Sequence, residues 1–142
     1  MLMKYLILFS ILLSTMCVQA QDSATYYGHQ LDPVALEQGL ALLKQTGAPI
    51  TGRIIEHYPN GQLRMEGFYI DGKKDGTFKW WYESGQLGLL ESFVANQKDG
   101  VSQLWHGNGQ LKQEAKYKNN KRRGSVQYWD EQGNKKSYHR NQ

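Results

Sequence analysis

The sequence predicts a mainly β protein. Tandem 24-residue β-hairpin repeats form an elongated antiparallel meander sheet, preceded by a signal peptide and one short amphipathic α-helix. Three observations lead there. Gly52, Gly76, Gly100 and Gly124 recur every 24 residues, and Gly61, Gly85, Gly109 and Gly133 keep the same interval. A fixed period in this range marks a repeat architecture. Between the glycines lie short aromatic and β-branched runs such as Thr77-Phe78-Lys79-Trp80-Trp81-Tyr82, which suit strands. Ahead of the array, residues 21–50 lack the period and space their leucines as a helix does.

Residues 1–20 read as a secretory signal. Lys4 supplies the charge, residues 5–13 the apolar run, and Val18-Gln19-Ala20 the small residues before a cleavage after Ala20. The run is shorter than the ~20 residues that span a bilayer. Cys17 is the sole cysteine. A lipoprotein would be cleaved just before it, but Met16 stands where such a site wants a small residue. The expectation is therefore an exported protein, periplasmic or secreted, whose mature chain has no thiol.

Residues 21–50 form the leader and helix. Residues 21–28 read as a flexible leader. Asp32 is the expected N-cap, Pro33 the first helical residue and Gly47 the stop, with Leu36, Leu40 and Leu43 on one face. A lone meander needs its apolar face covered, and this helix is expected to pack on the sheet or to cap its first edge.

Residues 51–142 hold about four copies, starting at 52, 76, 100 and 124. The triplets Pro59-Asn60-Gly61, Glu83-Ser84-Gly85, Gly107-Asn108-Gly109 and Glu131-Gln132-Gly133 read as hairpin turns. Gly72, Asn96 and Asn120 mark the second turn, because Gly and Asn accept left-handed backbone cheaply. The result is a meander of about eight strands. Two registers are open at the first turn. A two-residue turn pairs Tyr58 with Leu63 and sets Trp105 and Trp129 opposite Lys112 and Lys136. A three-residue loop pairs His57 with Leu63 and sets Trp81 and Trp105 over Leu87 and Leu111, as core. Pro59 favours the second. One residue of slip moves the Trp column to the other face.

With the copies aligned, the pattern Y-x-N-G-Q-L-x-x-E-x-x-Y-x-x-G-K-x-D-G resembles the bacterial variant of the MORN repeat, the family also labelled YwqK-type antitoxin. The resemblance runs from Gly52 to about Tyr138. It implies stacked β-hairpins, binding to a protein or near a membrane, and no catalytic residue. An antitoxin role would require an exported toxin. Copy four departs from the pattern, with Asp130 for the tyrosine and Lys135 for the leucine, as suits a polar terminal cap.

Chemistry is sparse. His29, His57, His106 and His139 show no metal-ligand spacing, and His57 and His106 stand where other copies hold Trp or Tyr. Asp75 and Asp99 precede glycines in turns and lack the ligand density of a calcium loop. No serine sits in a nucleophile elbow, and Gly107 and Gly109 belong to a hairpin rather than a phosphate loop. Glu66 and Glu114 are expected to pair with cross-strand bases. The reading is a non-enzyme with no cofactor, no metal, no nucleic-acid partner and no small-molecule substrate.

Charge is uneven. Residues 21–111 carry 7 basic and 10 acidic side chains, and residues 112–142 carry 9 and 3. Lys116, Lys118, Lys121, Arg122 and Arg123 make a basic patch, suited to solvation or to an anionic membrane or partner. Together with Trp81, Trp105 and Trp129 they form the expected interaction surface. The expected function is protein–protein interaction at a bacterial envelope, with peripheral membrane binding or immunity to an exported toxin as alternatives.

Overall fold

A computed structural model describes residues 24–136. The expected signal, its cleavage site and Cys17 lie outside the described residues.

The chain builds one open sheet. Its strands are β1 (Thr25–Tyr27), β2 (Gly52–His57), β3 (Leu63–Ile70), β4 (Lys73–Lys74), β5 (Gly76–Trp81), β6 (Leu87–Val94), β7 (Gln97–Trp105), β8 (Leu111–Lys118), β9 (Lys121–Trp129) and β10 (Lys135–Lys136). Spatial order follows sequence order from β1 to β10, with β4 beside β3. All pairs are antiparallel except β1 with β2, which run parallel. The meander of hairpins is thus as expected. The flexible leader is not, because Thr25, Tyr26 and Tyr27 pair with Arg53, Ile54 and Ile55 and extend the sheet.

The first turn takes the three-residue register. His57 lies opposite Leu63, Trp81 opposite Leu87 and Trp105 opposite Leu111. Gly61, Gly85, Gly109 and Gly133 all sit at φ between +82° and +85°. Each donates its N–H back to the residue that opens the loop, as Gly61 does to Tyr58 at 2.9 Å. The second turn is a two-residue hairpin with both central residues left-handed: Asp71-Gly72, Ala95-Asn96 and Asn119-Asn120.

The helix is shorter than expected. Asp32 does cap it, accepting from Val34 N at 2.8 Å and Ala35 N at 3.2 Å, but α1 spans only Pro33–Glu37. Gly39, at φ +82°, stops it eight residues before Gly47. The chain then pairs with itself and with the sheet: Ala41 N–H donates to Gly72 O at 2.8 Å and Ile50 N–H to Ala41 O at 3.0 Å. Leu36 and Leu43 pack on the core, but Leu40 is exposed, since its position belongs to the loop.

The core joins this cover to one face of the sheet. It holds Leu31, Ala41 and Ile50 from the cover with Ile54, Met65, Tyr69, Phe78 and Phe93. Phe78 is its centre. Tyr69 and Phe93 meet its ring edge-on at 5.2 and 5.5 Å, and Trp80 stacks at 5.8 Å. These spacings are favourable for aromatic pairs.

Candidate interaction surface

Side chains alternate along a strand. Phe78 and Trp80 face the core cluster, so Trp81 faces the other way. The ladder carries that parity onward. Trp80 pairs with Leu89, Leu89 with Leu104, Leu104 with Gln113 and Gln113 with Tyr128. Trp105 and Trp129 therefore share the face of Trp81, opposite the covered core. The register was legible; the expected core role was not met. Trp81 and Trp105 pair with Leu87 and Leu111 and, like Trp129, are half-buried rather than enclosed. In copy four the leucine becomes Lys135, whose Nζ lies 5.9 Å from the Trp129 ring centre. The cation–π contact thus arises with Lys135, not with Lys136.

The loops that hold this column lock each copy to the next. Tyr58 Oη donates to the Trp81 carbonyl at 2.7 Å, and Tyr82 Oη to the Trp105 carbonyl at 2.7 Å. His106 repeats the contact, with Nε2 at 3.1 Å from the Trp129 carbonyl. A carbonyl only accepts, so this contact requires the Nε2–H form of the ring. His106 therefore does the work of a tyrosine, as its repeat position suggested. Asp130 closes the series by turning inward, accepting from Asn134 N at 2.8 Å and Gln132 N at 3.1 Å. The hydrogen bond from the Asn134 backbone helps hold its carboxyl below the usual range.

The Trp face also carries charged groups, beside apolar residues such as Phe68 and Leu90. Glu66 joins Arg53 at 2.5 Å and Lys79 at 3.1 Å. Burial alone would raise the Glu66 carboxyl, but the hydrogen bonds from Arg53 and Lys79 outweigh it and hold the carboxyl low. Glu114 instead accepts from the Gln103 amide at 2.8 Å, so the expected basic partner is absent there.

The basic patch divides. Lys116 pairs with Arg123 and Lys118 with Lys121, while Arg122 pairs with Tyr117 and points to the core side. Lys118 is bound to Asp99 at 2.9 Å. Among the described residues no carboxylate pairs with Lys116, Lys121, Arg122 or Arg123. Lys121 opens β9 and Trp129 ends it, about 26 Å apart at ~3.3 Å per residue. The structure does not bring the tryptophans and the basic residues into one site.

Sequence reasoning missed a row on the core face. Tyr69 pairs with Lys74, Phe93 with Lys98 and Tyr117 with Arg122. Lys74 Nζ lies 5.0–5.5 Å from the rings of Phe93, Phe78 and Trp80. Burial pushes its ammonium down from the usual lysine value, against the pull of Glu91. Glu91 is buried and bound to Lys98. The signal was present, since these pairs recur at the same 24-residue interval, but cation and aromatic were not read as one unit.

The MORN repeat variant family matches residues 50–71, 74–89 and 98–119. These segments of the chain are MORN repeats. No curated protein and no solved structure matches the chain significantly. MORN repeats are non-catalytic modules associated with protein or membrane binding. The matched segments end before copy four, where Asp130 and Lys135 depart from the MORN pattern. Among the described residues no group of His, Cys, Asp and Glu could hold a metal ion, and no helix is long and apolar enough to cross a membrane.

Proposed function

We propose that this chain is an exported, non-catalytic MORN module that binds a protein partner at a bacterial envelope through its Trp face. One observation carries the reading: the column Trp81, Trp105 and Trp129 stands half-buried on the face that the cover leaves open. Tryptophans in that state supply large apolar area at little entropic cost, the property of interface anchors. The test is photo-crosslinking from a benzophenone side chain at Trp105 in envelope extract, with the same label at exposed Lys44 as control. A discrete adduct at position 105 alone supports the reading; equal labelling from both positions refutes it. Export is tested by the mass of the mature form. A start at Gln21 supports a soluble exported protein, and a lipid-bearing start at Cys17 overturns it.

A second reading has its own observation. The exposed, unpaired cations Lys116, Lys121, Arg122 and Arg123 favour a peripheral contact with an anionic membrane. Each such charge contributes about 1 kcal/mol near the surface and fades beyond a Debye length. Sedimentation with anionic vesicles at low salt should then fall when Lys121, Arg122 and Arg123 are changed to Ser. Indifference to those changes removes this reading.

A further inference from the structure

Two contacts recur where each copy meets the next at the second turn. Lys74 N–H donates to Asn96 Oδ1 at 2.7 Å, and the Lys74 carbonyl accepts from Asn96 N–H at 2.9 Å. Lys98 and Asn120 repeat both bonds, at 2.7 and 3.0 Å. The side chains repeat as well. Lys74 Nζ lies 5.0 Å from the Phe93 ring and Lys98 Nζ 5.6 Å from the Tyr117 ring. Each cation thus has an aromatic of the following copy.

Arg122 is next in this column. By the repeat, its backbone N–H and carbonyl face outward, away from β8. Among the described residues no asparagine and no aromatic of a following copy meets it. Among the described residues only Tyr128 and Trp129 of β9 pair with β10, and none lies beside residues 121–127 on that edge. Along that edge stand Lys121, Arg122 and Arg123, all exposed.

We propose that this edge receives an extended acidic segment of a protein partner, which adds as a strand beside β9 and lays an aromatic side chain on the Arg122 guanidinium. This rests on the protein-binding reading and specifies the chemistry of the partner. Main-chain bonds to an exposed edge supply affinity, and the alternating side chains supply selectivity. Charge selects the occupant. Two copies joined edge to edge would set like charges opposite one another, which is unfavourable. Residues 137–142 of this chain carry Arg140 and no carboxylate side chain. Basic residues on an edge also guard against aggregation. The same cations that turn away another copy admit an acidic strand.

The test uses the protein through Gln142 and a fluorescent nine-residue peptide of alternating Glu and Val with a central Phe. Saturable binding is expected, weakening about tenfold or more between low salt and ~0.5 M salt as the charges are screened. N-methylation of alternate peptide amides should weaken it by about tenfold again, because the strand bonds are lost. The double variant Arg122→Glu, Arg123→Glu should bind no peptide while keeping its melting temperature. Amides of residues 121–127 should gain hydrogen-exchange protection. Four results overturn the inference: no peptide binding; an N-methylated peptide that binds as well as its parent; protection outside β9; or binding seen only after truncation at Lys136, which would mean that the chain's own end holds the edge. Anionic vesicles that bind where the peptide does not would mark a charge patch only, and also overturn it. None of these outcomes alters the crosslink at Trp105, which tests the protein-binding reading separately.

Discussion

Gly67→Ala should destabilise the sheet although the backbone there permits alanine. Gly67 lies on β3 across from Phe78 of β5. A Cβ at Gly67 would lie 2.3 Å from Phe78 Cδ1 and Cε1 and 2.6 Å from Cζ. Such contacts force something to move. The Phe78 ring cannot move freely, because it is wholly buried and held by Tyr69, Phe93 and Trp80 at 5.2, 5.5 and 5.8 Å. Overpacking of this kind costs about 1–3 kcal/mol. The entropy gained on replacing glycine in a strand offsets roughly 0.5–1 kcal/mol of it. The net expectation is a loss of about 1–2 kcal/mol, or several degrees in melting temperature. Urea denaturation followed by tryptophan fluorescence measures it, since Trp80 stacks on Phe78. A second variant isolates the cause. Phe78→Leu removes the ring that the new methyl strikes, so Gly67→Ala should cost less in that background than in the wild type. Equal cost in both backgrounds, or a stabilised single variant, would refute the steric argument.

Other outcomes follow from single residues. Ala95 is held at φ +47°, where the other copies place Asp71 and Asn119; Ala95→Gly should raise the melting temperature by relieving about 1 kcal/mol of left-handed strain, and an unchanged melt would count against the turn. Burial, aided by the charge of Glu56, pushes the Tyr69 hydroxyl from 10.0 up to about 12. The folded value exceeds the unfolded one, so this stabilisation is complete below pH ~10 and is lost as pH rises toward ~12. Tyr69→Phe should flatten that alkaline limb of the stability curve; equal loss in both proteins would refute the assignment. Native-state hydrogen exchange should show slower amides in β3 and β5 than in β8 and β9, because the covered core lies over the former. Uniform protection would contradict that gradient.

The period alone made the hairpins legible. Glycine at a fixed interval, flanked by Pro59 or Asn108, specifies turns with positive φ, and the register follows from loop length. The face of the Trp column was harder to read. Parity along the ladder is relative, and only the cover decides which face is inside. That cover comes from residues 24–50, which lie outside the repeat. There the leucine spacing suggested a helix running from Pro33 to Gly47, but Gly39 and the backbone bonds of Ala41 and Ile50 to the sheet and to each other favoured a folded loop. Gly67 and Lys74 were overlooked for a related reason. Each matters through what lies across the strand, Phe78 in one case and three aromatic rings in the other, and such pairs appear only once the register is fixed.

The repeat unit supplies geometry, and the individual copies spend it differently. On the core face, one column reads Ile54, Phe78, Ser102, Val126, and its neighbour Gly67, Glu91, Ala115. The large buried rings fall in copies one and two, where the cover lies on them. In copy three Ser102 and Ala115 stand in these columns, and Ala115 is the one buried core hydrophobic described beyond Phe93. Each copy in a tandem array contacts mainly its neighbours, so stability gained at one end does not fix the chemistry of the other. Selection on the far end can therefore favour charge over packing. The Tyr58, Tyr82 and His106 contacts and the Asn96 and Asn120 clamps still hold the backbone in phase, and they require no apolar core. A sheet built this way keeps a covered end and carries a basic one in fixed register with it. That arrangement suits a binding module better than a pocket enzyme.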